Sequence, residues 1–96
     1  MKKFNTYIIT NKETSALFVG STGNLPQRIH KHKNKTYKNS YTEKHNLDKL
    51  VYFEGFDTMK EANTREAQVK SWSKNKTKKL INKLNPELND LYEDIK

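Results

Sequence analysis

A chain of 96 residues without cysteine has room for one domain and none for a disulfide framework or a thiolate metal site, which excludes zinc fingers and ribbons. Its apolar runs reach only three or four residues, which excludes a secretion signal or a spanning helix and makes the cytoplasm the expected location. A formal net charge of +8 and a mean hydropathy of −1.09 describe a polar chain suited to a polyanion, nucleic acid before membrane, and a 10% aromatic content argues that it folds.

In chain order, residues 6–10 (Thr-Tyr-Ile-Ile-Thr) are β-branched and aromatic and predict a first strand. A polar turn over 11–15 leads to a second strand at 16–20, antiparallel to the first because the loop is short. Gly20 closes that strand, where a bend or a close approach requires a residue without a side chain. Residues 21–24 form a loop with Thr22 or Asn24 as helix N-cap, and Pro26 falls in the first turn, where its missing N–H costs nothing. The helix runs over 25–33, with Leu25 and Ile29 toward the core and Arg28 and His32, also four apart, on a different face.

Residues 34–46 are polar and basic, with Tyr37 and Tyr41 among lysines, and read as a mobile loop or a short helix at the functional edge. Residues 50–56 are the strongest strand, and their near-continuous apolar run suits the centre of a small sheet. Thr58 and Glu61 predict a capping box for a helix reaching about Trp72, with Met59, Ala62, Val69 and Trp72 near one face. Glu66 lies on or beside that stripe, where a carboxylate needs a partner or a metal. Thr77 is the expected cap of a further helix with Leu80, Ile81 and Leu84 as its stripe, ended by Asn85-Pro86. Leu88, Leu91, Tyr92 and Ile95 carry helical spacing, so 87–96 is expected to be a short acidic tail helix. The expected fold class is α+β: a small three-stranded sheet flanked by helices in the order β-β-α-β-α-α, as a single domain over 1–96.

The charge is unevenly spread. Residues 1–86 carry 18 Lys and Arg against 7 Asp and Glu, whereas the last ten carry one Lys against four acids. Lys31, Lys33, Lys35 and Lys38, with Tyr37 and Tyr41, are candidates to grip a phosphate backbone and stack on exposed bases. A plain solvated loop explains them equally well, and 17 Lys against 2 Arg also fits a merely lysine-rich surface.

Tyr7 in the first strand and Phe18-Val19-Gly20 in the next strand resemble the two halves of the GIY-YIG nuclease signature, eleven residues apart from Tyr7 to Phe18. Arg28 stands eight residues after Gly20, His32 four after Arg28, and Glu66 lies within Arg-Glu-Ala-Gln-Val-Lys-Ser-Trp (65–72), all in the places that family uses. The chain therefore resembles GIY-YIG nucleases from about Phe4 to about Tyr92, most closely the stand-alone bacterial branch called URI domains, related to the amino-terminal nuclease module of excinuclease C. The resemblance implies a metal-dependent endonuclease acting on nucleic acid, DNA before RNA, with one divalent ion, Mg²⁺ or Mn²⁺, held by Glu66. It implies Tyr7 as the base that takes the proton of the attacking water, assisted by His32, and Arg28 as the cation on the scissile phosphate. Asn85 is a candidate for a late Asn of the family, and a protein partner or self-association could supply the substrate address that so small a module lacks.

Each residue also has an ordinary structural explanation: Tyr7 as a half-buried strand tyrosine, Arg28 and His32 as a solvated helix face, Glu66 as the helical ion-pair partner of Lys70. Two departures bear on the resemblance. The first half reads Asn5-Thr6-Tyr7 rather than Gly-Ile-Tyr, which touches packing more than chemistry. The other half carries Phe18 where the family has a tyrosine; if that hydroxyl makes only a supporting hydrogen bond, its loss costs ~1–3 kcal/mol, or ~10–100-fold in rate. The competing readings are a non-catalytic nucleic-acid-binding module on the same scaffold, weakened by Phe18, and an interaction protein docking through its acidic tail.

Overall fold

A computed structural model describes residues 2–96. Strands β1 (Phe4–Thr10) and β2 (Leu17–Thr22) form an antiparallel hairpin, followed by helices α1 (Leu25–Lys33) and α2 (Tyr41–Lys44), strand β3 (Lys49–Phe56), and helices α3 (Met59–Lys70) and α4 (Lys74–Leu84). All strand pairings are antiparallel and the sheet order is β2-β1-β3. This is the expected α+β sheet with flanking helices, with the four-residue α2 realising the short-helix alternative for 34–46.

The sheet centre differs from expectation. β1, not β3, is the middle strand, and every residue from Asn5 to Thr10 is buried. Its polar members hid this, because Thr6 and Thr10 satisfy their hydroxyls internally on the carbonyls of Ala62 and Ala16, both at 2.7 Å. β3 is an edge strand whose apolar run reflects cover on both faces rather than a central place in the ladder. Leu50 joins the core beneath α1, while Val51 and Tyr52 join the opposite core.

Strand alternation separates those two cores. Tyr7 and Ile9 pack with Leu25 and Ile29 of α1, closed over by Leu91, Tyr92 and Ile95 of the tail. Ile8 and Val19 pack instead with Val69 of α3 and Ile81 of α4. Removing residues such as Ile8, Ile9 and Ile29 wholly from water stabilises the fold by ~1.5–3 kcal/mol each.

Local signals set the helix ends. Asn24 caps α1 by accepting from the Gln27 N–H at 3.2 Å, with Pro26 in the first turn. Thr58 and Glu61 form the expected capping box of α3. Ser73, not Thr77, caps α4; Thr77 lies one turn inside, buried with Ile81, while Leu84 is 67% exposed and leaves the apolar stripe. α3 correspondingly stops at Lys70, two residues short of Trp72. In place of a tail helix over 87–96 there is one 3-10 turn, Leu91–Asp94. Asp90 anchors it, accepting from the N–H groups of Leu50 and Tyr92 and pairing with Lys33.

Candidate active site

The edge strand β2 runs two residues past Gly20, so this glycine lies within the strand rather than closing it. It faces Tyr7 across the ladder, and a Cβ there would stand 2.6 Å from the Tyr7 hydroxyl oxygen. The phenol occupies the space a side chain would take, which is the close approach that glycine permits.

Around that phenol the α1 face assembles an aromatic and cationic cluster. The Tyr7 hydroxyl lies 3.1 Å from His32 Nε2. The ring centroids of Tyr7, Phe18 and His32 are about 6 Å from one another, and Tyr37 packs against His32 in a tilted arrangement at 5.1 Å. The Arg28 guanidinium carbon lies 5.9 Å from the Tyr37 ring centre. Phe18, Arg28, His32, Tyr37, Tyr41 and Thr42 line a cleft of ≈ 220 Å³. Burial pushes the Tyr7 hydroxyl up to about 12, and the opposing pull of the neighbouring Arg28 does not offset it. Burial, with help from Arg28, holds His32 down to about 4. Both groups are therefore neutral at pH 7.

The α3 face contributes the carboxylate. Ser21, next to Gly20 and so pointing to the opposite side, donates to Glu66 Oε1 at 2.5 Å, while Lys70 Nζ lies 2.6 Å from Oε2. Burial raises the Glu66 carboxyl, but Lys70, Ser21 and Arg28 together hold it below the ordinary carboxylate value. Glu66 is thus the helical ion-pair partner of Lys70 that the sequence allowed, and its carboxylate also feels Arg28. Among the described residues no group of three or more His, Cys, Asp or Glu is placed to hold a metal.

Tyr7, Phe18, Gly20, Arg28, His32 and Glu66 therefore converge on β2 from both faces, with Tyr37 and Tyr41 beside them. Lys33, Lys35 and Asn85 are engaged elsewhere. Lys33 is tied to Asp90 and to the Asp48 carbonyl, which assigns it to anchoring the tail rather than to the cleft. Lys35 bonds Asn46 at 2.8 Å, whereas Lys38 is exposed and Lys31 half-buried. The buried Asn85 side-chain amide closes the end of α4, donating to the Val51 and Asn89 carbonyls. Ser21 was missed as a site residue; its adjacency to Gly20 and strand alternation were the signals that could have found it.

Comparison with known proteins identifies a family and three relatives. The model of the GIY-YIG catalytic domain matches residues 3–85. A UPF0213 protein of Clostridium perfringens is 40% identical over 75 residues, covering 78% of each chain. One from Staphylococcus saprophyticus is 40% identical over 81 residues, covering 84% of this chain and 96% of its own. A third, from Syntrophus aciditrophicus, is 34% identical over 87 residues, covering 91% and 98%. No solved structure matches at a significant level.

Proposed function

The chain belongs to the GIY-YIG catalytic-domain family, a nuclease family, and from that membership we propose that it is a divalent-metal-dependent endonuclease hydrolysing phosphodiester bonds in nucleic acid, DNA before RNA. The observation that carries the reading is the convergence of Tyr7, Arg28 and His32 from one face of β2 with Glu66 from the other, at Gly20, the β2 position without a side chain. No helix among the described residues is long and apolar enough to cross a membrane.

The residues present fit one ion of the Mg²⁺ or Mn²⁺ type: Glu66 is ionised, its side chain is 21% exposed, and a single carboxylate suits an ion that keeps most of its waters. When bound, such an ion would neutralise phosphate charge, stabilise the departing oxygen and lower the proton affinity of Tyr7. Arg28 offers a planar fork to two phosphate oxygens at the mouth of the cleft. Tyr7 is the base, but at about 12 only on the order of 10⁻⁵ of it is phenolate at neutral pH, so activation has to come with the bound substrate and ion.

His32 supports that activation through its tautomer. Its Nδ1 is buried without a partner, and a buried N–H left unpaired costs more than an unpaired acceptor nitrogen. While Tyr7 is a neutral phenol its O–H can donate to Nε2 3.1 Å away; once the phenol has lost its proton, an Nε2–H donates back to the Tyr7 oxygen and stabilises the phenolate. His32 then helps Tyr7 as a hydrogen-bond donor rather than as a further base.

The test is cleavage of labelled single- and double-stranded DNA and RNA with Mg²⁺ or Mn²⁺, beside Glu66→Ala and a chelator. Cleavage lost in both controls is the expected result. Salt-sensitive binding without cleavage in either metal replaces this reading with the binding module that Phe18 favours.

A further inference from the structure

The ammonium of Lys70 stands where a cation on Glu66 would stand. Its Nζ is 2.6 Å from Oε2, while the Ser21 hydroxyl, which also has Asn63 Oδ1 at 2.6 Å, lies 2.5 Å from the other oxygen. The Lys70 side chain is 50% exposed on a flexible four-carbon stem, and among the described residues its ammonium has no other hydrogen-bond partner. It also reaches around the edge of β2: Nζ lies 5.7 Å from the ring centre of Phe18, which faces the Tyr7 side. Beyond lies a groove of ≈ 350 Å³ lined by Phe18, Lys70, Trp72 and Lys74, with room for the ammonium to move away.

We propose that Lys70 is a positioning residue for Glu66: an internal cation that holds the carboxylate aimed while no metal is bound, and that the incoming ion displaces. The inference rests on the reading of Glu66 as the metal ligand. An ordinary exposed helical pair would not need this, but here the carboxylate is largely covered and its other oxygen is already committed. An arriving divalent ion would crowd three positive charges onto one carboxylate, and only Lys70 is free to leave. Because Ser21 retains the aim of Glu66, removing Lys70 removes a competitor without releasing the ligand.

The experiment is calorimetric titration of Mn²⁺ into the full chain without nucleic acid, with folding checked by circular dichroism. Lys70→Met is expected to bind Mn²⁺ about three- to tenfold more tightly than the wild type. Lys70→Arg, which keeps the charge, and Lys74→Met, which removes an equal charge from the same groove without touching Glu66, are both expected to stay within about twofold. Glu66→Gln is expected to lose binding. Unchanged or weaker binding by Lys70→Met while Glu66→Gln loses it overturns the role of Lys70 and leaves the metal ligand standing. An equal gain in Lys74→Met also overturns it, since the effect would then be one of net charge. Wild-type binding by Glu66→Gln overturns the ligand assignment, and this inference with it.

Discussion

Tyr7 and His32 lie on the α1 face of β2 almost wholly removed from water, whereas Glu66, on the α3 face of the same strand, keeps 21% of its side chain exposed and two hydrogen-bonding partners. Burial dominates the first pair and makes both groups neutral. Local donors dominate at Glu66, where they outweigh burial and keep it charged. One side of the strand is therefore poised and uncharged while the other is ready to attract a cation. The two sides adjoin at Gly20 and Ser21, and a change confined to one face should leave the signature of the other intact.

The largest effect expected from breaking this division is on turnover. Tyr7→Phe keeps the packing but removes the base, and is expected to lower kcat by ~10²–10⁴ while Mn²⁺ affinity stays within about twofold of the wild type. Steady-state cleavage beside calorimetry checks both halves of that statement. If Tyr7→Phe cuts at the wild-type rate, the α1 face is packing and not chemistry.

Gly20→Ala attacks the junction itself. A methyl 2.6 Å from the phenol oxygen and 3.0 Å from the Phe18 ring must move one of them, at a cost of ~1–3 kcal/mol in stability and ~10²-fold in rate. Urea denaturation and cleavage rates measure the two. An unaffected Gly20→Ala would mean that the phenol can occupy a different place and still work.

The sequence revealed the parts of this site that are local and concealed those set by distant contacts. Tyr7, Gly20, Arg28 and His32 belong to one hairpin and the helix that follows, so their separations along the chain translate almost directly into positions in space. Glu66 could be placed because a capping box fixes the start of α3 and hence its helical phase. Lys33 could not be separated from the other basic residues, because its partner Asp90 lies 57 residues further on. The central place of β1 was masked by Asn5, Thr6 and Thr10: Asn5 donates to the Lys2 and Lys3 carbonyls, Thr10 to that of Ala16 across the hairpin, and Thr6 to that of Ala62, 56 residues away, and no periodicity reveals these bonds. Leu84 misled in the other direction: it has the spacing of the α4 stripe, but Ser73 starts the helix one turn earlier and the face toward the sheet is that of Thr77 and Ile81.

Phe18→Tyr sharpens the comparison by restoring a hydroxyl to the α1 face alone. Phe18 is only half-buried and lines the cleft with Arg28 and His32, so a hydroxyl on its ring has access to water and to substrate. A gain of ~10-fold in kcat with stability changed by less than ~1 kcal/mol is expected. No gain in rate would show that the wild-type cleft already supplies that contact by another group.

The smallest expected effect concerns stability and pH, and it tests the burial on which the comparison rests. His32 is held down to about 4 in the folded chain against 6.5 when unfolded, so as pH falls the unfolded chain takes up the proton first. The stability lost between pH 6.5 and about 4 would approach ~3 kcal/mol for a fully dry group, and contact with the open cleft reduces it to ~1–2 kcal/mol. His32→Gln keeps a hydrogen-bonding amide near Tyr7 and cannot titrate, so urea midpoints at pH 7 and pH 4.5 should show the wild type losing ~1–2 kcal/mol more than the variant. Carboxylates protonate in both proteins and cancel in the difference. Tyr7 predicts the mirror image at the alkaline end: raised to about 12 from 10, it is charged first in the unfolded chain, so stability should fall as pH rises above about 10 and Tyr7→Phe should blunt that fall. Equal acid losses in the wild type and His32→Gln would mean that water reaches His32 freely. The α1 face would then be no drier than the α3 face, and the distinction between an uncharged side and a charged side of β2 would collapse.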